Sequence, residues 1–411
     1  MQQQEKTTFQ HLASIPVLVA ALGYFVDIYD LLLFGIVRIP SLQDLGLDEE
    51  EVSAVGRAIL NWQMTGLLLG GILWGVIGDK KGRLSVLFGS ILTYSAANIA
   101  CGFVSSPDVY KVLRFVAGIG LAGELGAGIT LVSEILPKRL RAIGTSLVAG
   151  VGLCGAVVAY ITVELFSWRQ AYFIGGGMGI CLLLLRLGVF ESGMFANIRH
   201  DSGVQKGNFL AFFTSRRRLV LYLKCIALGL PTWFVIGILS TFSNEFGRAL
   251  GLAEEIKPGL SIMWCYVGLA CGDLMSGLIS HALHSRKRAV TYMMLFTLVG
   301  SVFYLSGLID SSFMLYGTCL WMGLGIGYWA MFVTIGAEQF GTNLRATVAT
   351  TIPNMVRGAL VLMTSLYGAA KPSLGILLSG ALVGTITFAL GFFAVLTIPE
   401  THDRDLDFLE E

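Results

Sequence analysis

The chain has 411 residues, of which 55% are hydrophobic and only 13% charged, and its formal net charge is +1. That much apolar surface exceeds what a soluble core of this length can hide, which excludes a soluble enzyme and leaves a polytopic membrane protein. The charge balance gives no sign of a nucleic-acid partner, and the seven cysteines show no C-x-x-C spacing, so neither a zinc site nor a disulfide framework is indicated.

Apolar runs of about 20 residues match the roughly 30 Å hydrocarbon thickness at 1.5 Å per helical residue, and the alternating pattern of an outer-membrane strand is missing. Twelve helices are expected, at 12–38, 57–78, 85–104, 111–133, 142–163, 170–190, 219–242, 259–283, 289–308, 312–336, 347–370 and 375–398. The first carries Asp27 and Asp30 near its middle, three residues apart and about 60° around the helix, so both can face the interior together. A carboxylate at that depth costs roughly 2.5 to 3.5 kcal/mol on insertion scales, so something must compensate.

The second span holds Asn61 and Gln63, and the fourth has Arg114 near its outer end and Glu124 at its middle. Trp233 lies in the seventh, Tyr328 and Trp329 in the tenth, and Asn354 and Arg357 in the eleventh; each of these polar or aromatic residues is a candidate for lining a central cavity. Arg357 at mid-span needs either an internal acid, for which Asp273 in the eighth span is available, or an anionic ligand. Its planar fork suits a carboxylate, which favours an organic anion as substrate.

Even parity places both termini on one side. The loops on that side hold 17 Lys and Arg and the opposite loops hold 7, with four more inside spans, so both termini are expected in the cytoplasm of a bacterial inner-membrane protein. The first span is too long for the apolar region of a cleavable signal and is expected to be retained.

The second half repeats the first at an offset of about 204 residues. SEILPKRLRAIGTS (133–146) pairs with AEQFGTNLRATVAT (337–350), so that Glu134 precedes Arg141 by seven residues as Glu338 precedes Arg345. GVIGDKKGR (75–83) is echoed by GLISHALHSRKR (277–288), and FESG (190–193) by IPET (398–401). Two six-helix halves follow, 1–196 and 219–411, joined by a polar cytoplasmic linker at 197–218; duplicated halves with a site between them are the architecture of alternating-access transporters.

GVIGDKKGR resembles the G-x-x-x-D-[RK]-x-G-R loop between the second and third helices of the major facilitator superfamily. LRFVAGIGLAGE in the fourth span, SEILPKRLRA after it and the PETHDRDLDFLEE tail extend the similarity, and F-V-D-I-Y-D with GLAGELG brings it nearest to metabolite:proton symporters and sugar porters. Leu84 stands where the loop motif usually has a second basic residue, and His281 where the second copy usually has Asp. The fifth span lacks the Gly-Pro pair of the superfamily's antiporters, which favours uptake over export.

The resemblance implies an all-α fold of twelve transmembrane helices in two pseudo-symmetric six-helix halves. It implies a cytoplasmic gate built from Gly75, Asp79, Gly82 and Arg83, with Glu134–Arg141 and Glu338–Arg345 as paired latches. It also implies that Asp30 pairs with Arg114 when ionised and releases it when protonated, with Asp27 as a second acid and Glu124 beside them. Charge-assisted pairs of this kind hold in one state and part in the other.

GIGLAG (118–123) satisfies the dinucleotide fingerprint but follows no strand, so close helix packing explains it better. No P-loop occurs, which leaves an ion gradient or facilitated diffusion as the energy source. The expectation is therefore a non-enzymatic, proton-coupled symporter importing a small organic anion, with no cofactor other than the proton, no metal and no obligate protein partner, functional as a monomer in the lipid bilayer. A zwitterionic osmolyte or amino acid, then a sugar, are the alternative substrates; an exporter or a ligand sensor ranks lower.

Overall fold

The computed structural model describes residues 14–81, 83–124, 136, 141–191 and 215–402. Those residues are helical apart from short turns. The elements are α1 (Ile15–Asp44), α2 (Glu49–Lys81), α3 (Arg83–Cys101), α4 (Pro107–Leu121), α5 (Arg141–Leu165), α6 (Trp168–Glu191), α7 (Arg216–Phe234), α8 (Ser243–Ala249), α9 (Pro258–Leu283), α10 (Arg286–Leu305), α11 (Ser312–Ile326), α12 (Trp329–Glu338) and α13 (Thr342–Thr397). Among the described residues nine stretches are long and apolar enough to cross a membrane, and Ser85–Cys101 is a shorter apolar helix. The α13 stretch contains two of the expected spans, parted where Gly375 adopts φ +73°.

Local chemistry sets the helix starts. Serines cap α4, α10 and α11: Ser106 accepts from the Asp108 N–H, Ser285 from that of Arg288 and Ser311 from that of Met314. Prolines open α4 and α9, where a missing N–H costs nothing. The second span begins earlier than expected, at Glu49, because Glu49, Glu50 and Glu51 complement the positive helix start.

Packing repeats between the halves. α1 packs most extensively on α5, as α7 does on the first part of α13, and α2 on α4, as α9 does on α11; the halves meet through α2 against α13 and α5 against α9. The α2–α4 and α9–α11 contacts are backbone to backbone. A Cβ on Gly66 would strike the Phe115 carbonyl and one on Gly118 the Gln63 carbonyl, while Gly268 faces Leu320 and Gly323 faces Cys265 in the same way. Small residues permit this approach in a membrane, where dispersion rather than the hydrophobic effect holds helices together. Close packing is thus what the GIGLAG glycines serve: Gly120 lies on Tyr94 and Gly123 on Ser90.

Two expected spans are interrupted. The fourth breaks at Ala122–Gly123 and the tenth at Gly327–Tyr328, between α11 and α12. Backbone groups freed at a break must be satisfied within the protein. Asn354 of α13 donates to the Ala122 carbonyl at 2.9 Å, and Asp273 of α9 accepts from the Ala330 N–H at 3.0 Å. In the seventh span a π-helical segment, Val235–Ser240, follows Pro231 and α7.

Gly118→Leu is expected to force α2 and α4 apart and cost about 1–3 kcal/mol or more through overpacking. Thermal unfolding of the purified protein should show it, with Gly177→Ala, a site with nothing within 4 Å, leaving the midpoint within experimental scatter. Equal midpoints for both variants would show that the backbone contact is not required.

Candidate functional site

Arg114, Asp27, Asp30, Glu124 and Arg357 are all buried inside the bundle. Arg114 projects from α4 into a set of neutral acceptors. Its Nε donates to Gln63 Oε1 at 3.3 Å, Nη1 to Asn98 Oδ1 at 2.7 Å and Nη2 to the backbone carbonyl of Asp30 at 3.1 Å. The guanidinium also lies 5.5 Å from the Tyr172 ring centroid. Gln63 in turn donates to the Leu31 carbonyl at 3.0 Å.

The expected Asp30–Arg114 ion pair is therefore not formed in this structure: Arg114 holds the backbone of Asp30 and not its carboxyl. Both carboxyl oxygens of Asp30 are buried without a hydrogen-bond partner, a situation that costs least when the group is neutral. Gly175 of α6 makes room for the carboxyl, since a Cβ there would collide with it.

Asp27, one turn earlier on α1, faces the other half. Its Oδ2 is 3.9 Å from Nη2 of Arg357 on α13, and both side chains are almost fully buried. No hydrogen bond joins them: both Asp27 oxygens, and Nε and Nη1 of Arg357, have no partner. Trp233 stands 5.9 Å from the Arg357 guanidinium, and Tyr24 and Tyr266 lie in the field of the pair. Asp27, not Asp273, is thus the internal acid near Arg357; Asp273 is taken up by the start of α12.

Glu124 forms a buried ion pair with Arg186 of α6, whose Nη1 lies 3.2 Å from Oε2, and Ser90 donates to the same oxygen at 3.3 Å. Gly23 of α1 packs directly on this pair. The sequence reading assigned Arg186 no role, although an isolated arginine in an apolar span was the signal.

Other candidates lie nearby in structural settings. Thr364 donates to Asn61 Oδ1 across the halves. Tyr328 donates to the Leu228 carbonyl at 3.1 Å, and Trp329 packs on Phe332 with centroids 4.9 Å apart. Asn354 spends its amide nitrogen on Ala122 and Thr350, leaving a buried Oδ1 without a partner.

Of the expected cytoplasmic gate, Gly75 lies against Thr351 across the halves. Gly82 and Glu134, and the side chains of Asp79, Arg83, Arg141 and Arg345, lie outside the described residues. Among the described side chains, Glu338 forms an ion pair with Arg286, at the start of α10. Glu400, in the IPET segment, accepts from Ser285 and from the Arg286 and Lys287 N–H groups, the latter two at 3.2 Å. Burial raises the Glu400 pKa, but these donors outweigh it and hold the carboxyl below its usual range.

Two repeated helical halves, facing one another across buried charges within a bundle of membrane-spanning helices, define a membrane transporter and not an enzyme. The chain belongs to the Major Facilitator Superfamily, whose sequence model matches residues 20–359. It is 24% identical over 284 residues to a gentisate transporter of Corynebacterium glutamicum, covering 63% of each chain. It is 27% identical over 369 residues to a niacin transporter of Acinetobacter baylyi, covering 80% of each. Among solved structures it resembles an inward-open xylose transporter from E. coli with a TM-score of 0.68 and 15% identity, over 95% of this chain and 97% of the other.

Removing one partner of a buried pair strands the other charge, at roughly 3–5 kcal/mol. Arg186→Gln is expected to lower the thermal midpoint strongly, and Glu124→Gln added to it to restore part of the loss. A double variant less stable than Arg186→Gln alone would show that Glu124 is held by something other than this arginine.

Proposed function

We propose that the protein imports a small aromatic or other organic acid together with a proton across a bacterial inner membrane, both termini cytoplasmic, by alternating access of its two halves around a central site. It acts as a monomer with no cofactor beyond the coupled proton. The observation that carries this reading is the loose Asp27–Arg357 pair: a cation of one half faces an acid of the other at 3.9 Å with two of its nitrogens unused. A buried guanidinium with free donors is a receptor for a carboxylate. Trp233 beside it offers a ring face to an aromatic acid. The gentisate and niacin named for the two relatives are both aromatic carboxylic acids, which supports the same class here.

Mechanistically, Asp27 and the substrate carboxylate compete for Arg357. Protonation of Asp27 withdraws the competitor and leaves Arg357 to the substrate. Asp30 carries the coupled proton: neutral, it leaves Arg114 with Gln63, Asn98 and the Asp30 carbonyl; ionised, it draws Arg114 away from them. Arg114 contacts α1, α2 and α3 at once, so that shift changes the packing of the first half. Arg114 is thereby satisfied in each state, by neutral hydrogen-bond acceptors in one and by a carboxylate in the other, as the low-dielectric setting requires.

Uptake of gentisate and nicotinate into proteoliposomes should rise with an imposed inward proton gradient; indifference to the gradient overturns symport. Asp30→Asn is expected to abolish concentrative uptake and spare counterflow exchange, whereas loss of both would make Asp30 a binding or structural residue. Arg357→Gln should raise the KM for nicotinate at least tenfold, about 1.4 kcal/mol, with little effect on competition by nicotinamide. An unchanged KM would remove the carboxylate from the proposal.

A further inference from the structure

At the end of the bundle opposite the termini, both halves contribute to a cavity of about 360 Å³ whose lining includes Arg38, Ser53, Arg57, Glu245 and Lys371. The volume falls at the lower end of the roughly 300–1,000 Å³ typical of small-molecule sites. No candidate from the sequence reading lies here, and neither Arg357 nor Asp27 lines it.

Glu245 is the buried acid of this cavity. It accepts from Ser53 Oγ at 2.6 Å, Lys371 Nζ at 2.7 Å and Tyr367 Oη at 2.9 Å. Burial alone would raise its pKa, but Arg38 and Lys371 outweigh that and hold it below the usual carboxylate range.

Around this single buried carboxylate stand three cations. Arg38 is 1% exposed, donates from Nη2 to the Thr241 carbonyl and to Asn244 Oδ1, both at 3.1 Å, and leaves Nε without a partner. Arg57 donates to Ser53 Oγ at 2.7 Å, and Lys371 is committed to Glu245 and Ser53. Glu49, Glu50 and Arg248 also line the cavity, but Glu49 is 70% exposed and paired with Arg248 at 2.7 Å, and Glu50 is exposed. Solvent and salt screen those charges far more than the buried ones.

We infer that this cavity is an outer anion site that holds a monocarboxylate between Arg38 and Arg57 before it reaches Arg357. The identity of the anion as a transported acid rests on the proposed function; the placement of Arg38 and Arg57 in the cavity does not. The halves divide the charge of the cluster unequally. Arg38, Ser53 and Arg57 belong to the first, while Glu245, Tyr367 and Lys371 belong to the second. Opening this end therefore takes Glu245 away from both arginines, and an incoming carboxylate replaces it there. The lining carries four cations, Arg38, Arg57, Arg248 and Lys371, against the acids Glu49, Glu50 and Glu245, and moving Glu245 away leaves the excess of positive charge that draws an anion in.

The test reads potential through thiol chemistry and needs no transport. Ile376 lines the cavity; Ile376→Cys, in a full-length chain whose seven native cysteines are replaced by Ser, is modified with an anionic and a cationic methanethiosulfonate of similar size. The anionic reagent is expected to react faster, and R38Q and R57Q should each cut the anionic-to-cationic rate ratio several-fold, with R38K retaining it as the control for folding. Benzoate should slow the reaction, and benzamide or equimolar chloride should not.

An unchanged ratio in both Gln variants, or equal protection by benzoate and benzamide, overturns the site; protection by chloride equal to that by benzoate makes it a halide site and overturns the carboxylate assignment. If instead the ratios behave as expected but no organic acid is transported, the proposed function fails and the anion site stands.

Discussion

A charge inside an apolar bundle must find its opposite or a full set of hydrogen bonds, and nearly every functional feature of this protein follows from how that demand is met. Glu124 and Arg186 meet it fully, within one half. Arg114 meets it with neutral acceptors and a backbone carbonyl. Asp27 and Arg357 meet it only partly, across the two halves, at a distance where Coulomb attraction persists without a hydrogen bond. The tight pair holds its half together, and the loose one has free donors and acceptors available to exchange partners.

The fold was largely legible in the sequence because it depends on length and composition. Runs near 20 residues, short serine-capped loops and asymmetrically placed Lys and Arg require only local information. The repeat was legible at the loop motifs, and the structure extends it to glycines outside the repeated loops: Gly66 and Gly268, Gly118 and Gly323 occupy matching backbone contacts. The helix breaks at Ala122–Gly123 and Gly327–Tyr328 were not legible, since hydropathy runs through them without interruption. What makes them tolerable is supplied from other spans, by Asn354 and Asp273.

The site was legible as a set of residues and not as a set of partnerships. Asp27, Asp30, Arg114, Glu124 and Arg357 stand out as ionisable groups in apolar runs, but such runs carry little periodicity to say which face each group occupies. Arg357 consequently had Asp273 as its nearest plausible acid, while its neighbour is Asp27, in the opposite half. Glu338 was given Arg345 by the resemblance; among the described side chains it pairs with Arg286, at the start of a different helix, and the Arg345 side chain lies outside them. Arg38 and Glu245 were missed altogether because charges at the ends of spans look like ordinary solvated loops. Only folding shows that Arg38 is sealed beneath Phe242, 4.5 Å from its ring centroid, and that Glu245 is enclosed by residues from three helices.

The outer cluster and the central pair answer to the same electrostatics. In each, a carboxylate of one half lies in the field of a guanidinium of the other, so each closed arrangement contains the ion that opening would expose. Under the proposed function, a transported acid brings its own carboxylate and takes over that compensation, at Arg38 and Arg57 when the outer end parts and at Arg357 when Asp27 is neutral. Its binding thereby favours the conformations in which the protein's own acids are displaced, which is the differential interaction a ligand needs in order to shift a conformational equilibrium. A proton on Asp27 acts in the same direction by removing the internal competitor. In the proposed mechanism, where Asp30 carries the coupled proton, Asp27 adds a second link between proton and acid at Arg357, and such a link is reciprocal: the acid favours the protonated carboxyl as much as the proton favours the acid.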